Sequence, residues 1–306
     1  MAVLPEGVSW RKVTIWSVAA VAALALAVLL ARFLISLPTV AAFIERYPGV
    51  ATAPESSPVG LPGWLRWQHF LNMFFMIMII RAGWLVRTTQ RPKAFWTRDN
   101  TKFIKTAGEP TKISFNLWIH LAFDVFWVLN GVIFIILLFV TGQWMRVVPT
   151  NWDVFPNAVS VGLQYLSLDW PTEHSWAHYN ALQLLTYFIT IFIAAPLSLI
   201  SGFRMSPSWS TRWTRAGKLL PLEVTRKIHV GVMVYYLLFI VVHVTLVMAT
   251  GALRNLNHMY TGTDDVSWTG FWYFAASMVV VVIGWVLARP MFLQPIASIG
   301  GKVTAR

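Results

Sequence analysis

The 306-residue chain has no cysteine. That absence excludes disulfides, thioether-attached haem, thiolate-held iron–sulfur clusters and any cysteine zinc site. A metal in this protein would be held by His, Met, Tyr or carboxylate. Charge is also scarce, at 12% of residues, and 12 Asp and Glu face 24 Lys and Arg, for a net charge of +12. An average soluble domain carries about twice that share of charged side chains. The positive excess does not point to a nucleic-acid partner, because the Lys and Arg fall in short segments beside apolar runs, where such residues orient a membrane protein. No glycine-rich nucleotide loop, internal repeat or low-complexity segment is evident.

What remains is apolar and aromatic: 57% of residues are hydrophobic and 17 are Trp. Six runs, roughly 13–36, 64–86, 113–140, 178–202, 227–250 and 269–289, reach the about 20 residues that a helix needs to cross a hydrocarbon core. Lipid offers backbone groups no partner, so each run is expected to be helical. The predicted fold class is all-α: a polytopic membrane protein with six transmembrane helices. The apolar stretch Val13 to Ala31, after Arg11 and Lys12, is longer than the apolar region of a secretory signal and is expected to stay as an anchor. The expected organisation is an anchor and outer loop over 1–63, a four-helix core over 64–250, and an outer loop, last helix and tail over 251–306.

Lys and Arg in the connections predict orientation. The 87–112 segment carries Arg87, Arg91, Lys93, Arg98, Lys102, Lys105 and Lys112, and the 203–227 segment carries Arg204, Arg212, Arg215, Lys218, Arg226 and Lys227. The alternate connections hold Arg46, Arg146 and Arg254 alone. The protein is thus expected in the cell's inner or plasma membrane as a multi-pass chain in contact with lipid, both termini cytoplasmic. Trp64, Trp67, Trp84, Trp144, Trp176 and Trp285 stand near run ends, as interfacial anchors do.

The most informative spacing lies in KIHVGVMVYYLLFIVVHVTLVMATG, where His229 and His243 are fourteen residues apart. At about 100° and 1.5 Å per residue they share one helix face, roughly 21 Å apart along the axis. Two stacked b-type haems need that arrangement. Imidazoles inside the hydrocarbon are costly unless paired, hydrogen-bonded or ligating a metal. His69, in LRWQHFLN, and His120, in NLWIHLAF, complete the set. By depth, His120 matches His229 on the inner side and His69 matches His243 on the outer side. Bis-imidazole ligation would close both axial sites of an iron, favouring electron transfer over substrate chemistry.

With these residues the chain resembles the di-haem cytochrome b membrane subunits of respiratory formate dehydrogenases and nickel–iron hydrogenases. That family has single His ligands on the first and second helices of its core and two, fourteen apart, on the fourth. Tyr179, Asn180 and Gln183 in HYNALQ are similar to the motif that opens the family's third core helix. The resemblance covers about residues 64–250 and implies two haem b groups, with His69, His120, His229 and His243 as iron ligands. It also implies a quinone, menaquinone or ubiquinone, and a catalytic redox subunit of molybdopterin, iron–sulfur or hydrogenase type. The extra N-terminal helix inverts the core relative to the formate dehydrogenase subunit if the charge rule holds.

Other residues carry secondary expectations. Asp124, one turn after His120 and the only carboxylate deep in a helix, is read as a proton-moving or haem-tuning group, or as a paired structural one. Arg66 is assigned to an outer-haem propionate or to snorkelling, and Gly231 to the close approach of a flat macrocycle or to helix packing. His178, Tyr179, Asn180 and Gln183 make a polar cluster suited to quinone. His174 and His178, four apart, are read as interfacial rather than metal-binding, and His258 as an unremarkable loop residue. The aromatic 142–177 segment, with Trp144, Trp152, Phe155, Tyr165 and Trp170, is favoured as the face for the partner. The function expected is electron transfer across the bilayer between quinone and a partner enzyme, with no primary-substrate site. The alternatives are a stand-alone transmembrane haem reductase and a haem-free transporter or scaffold with structural histidines.

Overall fold

The computed structural model describes residues 9–51, 53–102, 105, 109–170, 176–210 and 213–306. Helix α1 (Trp10–Ser36) begins where the Ser9 side chain accepts the Lys12 N–H, and α2 (Pro38–Arg46) begins on a proline, whose missing N–H costs nothing at a first turn. The chain continues with α3 (Gly63–Thr88), strands β1 (Ala94–Arg98) and β2 (Ile113–Ser114), α4 (Phe115–Val140), a 3-10 turn at Gln143–Arg146 and α5 (Val154–Leu166). Helix α6 (Ala181–Ile189) runs through a π segment, Thr190–Ala194, into α7 (Ala195–Met205). Then come α8 (Thr214–Leu219), α9 (Leu222–Ala249), α10 (Ala252–Tyr260), α11 (Thr269–Leu287), α12 (Pro290–Gly300) and β3 (Gly301–Ala305).

Among the described residues six stretches are long and apolar enough to cross a membrane: Trp10–Ser36, Gly63–Thr88, Phe115–Val140, Ala181–Met205, Leu222–Ala249 and Thr269–Leu287. They follow the six runs of the sequence closely. Their exposed surfaces are apolar, as with Val21, Leu24, Leu29 and Phe33 on α1, so lipid rather than water is the compatible surrounding.

The chain forms two compact units. The first holds α1, α2, α5 and α6, with Ala51, Val154, Ala158, Ala181 and Leu184 as its core. Gly49, at φ +93°, sits so close to α5 that a Cβ would lie 2.5 Å from Val161 Cγ2. Its N–H donates to Asn157 Oδ1 (2.8 Å) and its carbonyl accepts the Ala181 N–H (3.0 Å), which fastens the loop to the start of α6.

The second unit holds α3, α4 and α7 through α12, together with the strands. Met76, Ala194, Val232 and Tyr236 meet with Ile80 and Trp127 around them, so α3, α4, α9 and the π segment share a core. Small residues allow close contact, as membrane helix packing requires: a Cβ on Gly284 of α11 would lie 2.5 Å from a ring carbon of Phe74 on α3. At one end, α3 and α4 are linked through a sheet of order β2-β1-β3 that the sequence reading did not foresee. Ala94 to Arg98 pair antiparallel with Ala305 to Gly301, and Trp96 Nε1 donates to the Ala297 carbonyl (2.9 Å) over a core of Phe115, Ile119 and Ala297.

Candidate functional site

Four histidines of the second unit come together as two pairs. Near the sheet end, His120 of α4 and His229 of α9 have ring centres 6.3 Å apart with planes inclined by 75°. Near the opposite end, His69 of α3 and His243 of α9 also have ring centres 6.3 Å apart, inclined by 54°. These are the pairings that depth alone predicts. Neither pair is stacked, and neither is close enough for a direct imidazole–imidazole hydrogen bond, which would hold the centres roughly 5 Å apart.

The pair at the sheet end is held at Nδ1. His120 Nδ1 lies 3.0 Å from the Ile79 carbonyl on α3, and His229 Nδ1 lies 2.9 Å from Ser201 Oγ on α7. Ser201 also makes a 2.6 Å bond to the Leu197 carbonyl. That bond uses its single proton, so the hydroxyl oxygen accepts from the imidazole. Gly83 makes the first approach possible, and Gly202 meets the second ring at ordinary contact distance. A Cβ on Gly83 would stand 3.0 Å from His120 Cε1, and one on Gly202 3.4 Å from His229 Cε1. With Nδ1 taken, Nε2 is the nitrogen each ring offers to a metal. Asp124 Oδ2 is 3.6 Å from His120 Nε2, too far for a hydrogen bond.

The other pair is held differently. His243 stacks on Phe239 at 5.4 Å, one turn earlier on α9. His69 Nδ1 is closed off from solvent and has no hydrogen-bond partner. Arg66, one turn before His69, donates from Nη1 to the Tyr260 carbonyl (3.2 Å), and its guanidinium packs where a Cβ on Gly262 would lie 2.8 Å from Cζ. Its Nε is buried without a partner. Gly231 faces open space, with nothing within 4 Å of a Cβ position.

The polar cluster of the HYNALQ segment belongs to the first unit, and the structure gives two of its members a local task. Asn180 Oδ1 accepts the Gln183 N–H (2.8 Å) and Gln183 Oε1 accepts the Asn180 N–H (3.2 Å). This reciprocal cap satisfies the first backbone donors of α6. Asn180 Nδ2 donates to Tyr165 Oη (2.7 Å), and the Arg146 guanidinium lies 4.7 Å from the Tyr179 ring centre. His178 stands at this helix start, whereas His174 lies outside the described residues. His258 departs from expectation: it is a buried residue of α10, 2.6 Å from Asp264 Oδ1.

Sequence reading missed Gly83, Ser201 and Gly202. A signal for the first was present, since Gly83 follows His69 by the fourteen residues that separate His229 from His243. Among the described residues no group of three or more His, Asp or Glu is placed to hold a metal ion, so any metal would depend on the two-imidazole pairs. Comparison with family models, with curated proteins and with solved structures gives no match for this chain.

Proposed function

We propose that this chain is a membrane cytochrome b that moves electrons between a quinone pool and a partner redox protein, using two b-type haems held by His120 with His229 and by His69 with His243. The observation that carries the reading is the equal ring separation of 6.3 Å in both pairs. A metal–imidazole bond of about 2.0–2.1 Å, plus about 1.1 Å from ring nitrogen to ring centre, puts two imidazoles that share one metal about 6.2–6.4 Å apart. The residues present fit such a group. Nδ1 of His120 and His229 is occupied by protein oxygens, which orients Nε2, whereas Gly231, about 200° round α9 from His229, faces outward and takes no part. When bound between these imidazoles, a haem would supply one-electron transfer.

The chain's own residues then have definable tasks. The four imidazoles bind, and α9 sets the levels of the two sites through its fourteen-residue spacing. Ile79 and Ser201 hold ring orientation, and Arg66, three residues before His69, is kept as the candidate partner of a haem propionate, its guanidinium held at the Tyr260 carbonyl. Asp124 places a carboxyl one turn from His120. For quinone we keep His178 and Tyr179 as the candidate contacts, with Asn180 and Gln183 shaping the helix start on which they stand. For the partner, the aromatic 142–177 segment narrows to Trp152, 83% exposed, and Phe155, which stacks with it at 5.6 Å. Trp170 is turned inward, bonded to the Tyr165 carbonyl.

The test is a reduced-minus-oxidised spectrum of the purified protein with haem counted per chain. Two haems are expected, one lost in His120→Ala or His229→Ala and the other in His69→Ala or His243→Ala. A chain without haem, or with haem that survives all four changes, would favour a transporter or scaffold instead.

A further inference from the structure

We propose that the histidine pair at the sheet end holds the lower-potential haem of the two, and that Ser201 is a positioning residue that helps set this difference through His229. The inference rests on the haem reading above and adds an order to the two sites. Both imidazoles of the sheet-end pair have Nδ1 against a protein oxygen, the Ile79 carbonyl at 3.0 Å and Ser201 Oγ at 2.9 Å. At the other end His69 Nδ1 is buried with no partner, so at most one imidazole of that pair can be polarised in this way. An imidazole that donates from Nδ1 gains electron density at Nε2 and becomes a more basic ligand. A more basic axial ligand favours ferric over ferrous iron, and hydrogen bonding behind the ligand is one of the levers by which a protein sets haem potential.

The device is built into the backbone. Ile79 stands one turn before Gly83, whose missing side chain lets α3 approach the His120 ring, and Ser201 directly before Gly202, which lies in ordinary contact with the His229 ring. On the α6–α7 helix the π segment Thr190–Ala194 and Pro196 precede this patch. A π turn advances the chain by an extra residue, so every later side chain is rotated by about 100° from where an unbroken helix would carry it. Ser201 and Gly202 face His229 after that rotation.

The experiment is a redox titration of the purified protein, following haem absorbance against ambient potential, with dithionite as reductant and ferricyanide as oxidant. The wild type is expected to titrate in two one-electron components. Ser201→Ala is expected to shift the lower component toward reduction by up to tenfold in its equilibrium constant, which is about 59 mV for one electron, and to leave the upper component in place. Ser201→Thr keeps the hydroxyl and is expected to restore the wild-type value. Gly83→Ala, which forces His120 away from the Ile79 carbonyl, is an independent variant expected to raise the same component. Two bound haems of which Ser201→Ala or Gly83→Ala moves the upper component, lowers the lower one or moves neither would overturn the inference while leaving the haem reading intact. A wild-type chain that binds no haem would remove both.

Discussion

Asn257 is wholly buried, and its side-chain amide organises the connection between α10 and α11. Nδ2 donates to the Asp265 and Ser267 carbonyls, each at 3.0 Å, while Oδ1 accepts the Gly270 N–H at 2.7 Å. Beside it Arg254 forms a two-bonded pair with Asp264 (2.6 and 2.9 Å), and His258 meets the same carboxylate. The hydrogen bond from Arg254, and next that from His258, hold the Asp264 carboxyl well below the usual carboxylate range. A carboxyl depressed in the folded state contributes stability that is complete above the unfolded value, about 3.9, and is lost as pH falls toward the folded value. Amide exchange in residues 252–268 is therefore expected to rise as pH drops below about 4, relative to the intrinsic rate, and Asp264→Asn should abolish that dependence. An unchanged profile in Asp264→Asn would mean that another group governs it. Sequence reading passed over His258 because the helix that buries it is short and polar. By contrast, the four paired histidines were legible, since helical rise and rotation alone fix which of them share a level.

Among elements, the long helices were legible because their length is set by membrane thickness. The sheet was not. Its longest pairing joins Ala94–Arg98 to Gly301–Ala305, and no local pattern in either segment names the other. The π segment was also hidden, although Pro196 marked the run as irregular. The HYNALQ motif was noticed for its polarity, whereas its Asn and Gln form a helix cap. A cap of this kind contributes about 0.5–2 kcal/mol, so Asn180 is a poor probe of ligand binding and a good one of the α6 start. For the sheet, deletion of residues 301–306 is expected to leave the six long helices in place and to expose Trp96, now 7% exposed. Trypsin should then cut the 87–112 segment faster, at Arg98 or its neighbours. Unchanged cleavage would show that β3 contributes nothing to holding that segment.

At the scale of the whole molecule, the clustering of Lys and Arg in 87–112, 203–227 and the tail is the pattern that the charge rule expects of segments on the cytoplasmic side. The chain has no native cysteine, so single Cys substitutions at Thr89 or Ser208 can be labelled without background. Both are expected to resist an impermeant reagent in intact cells and to react after permeabilisation; labelling in intact cells would invert the topology. The sheet also has a consequence for how the protein is made. Ala94 pairs with Ala305, so β1 stays without this neighbouring strand until residues 301–305 have left the ribosome. Closing so large a loop is slow and entropically costly before contacts form. The β1 platform, next to the helix ends that carry His120, is thus the last part of the sheet end to be completed. A purification tag fused behind Arg306 would sit at that seam.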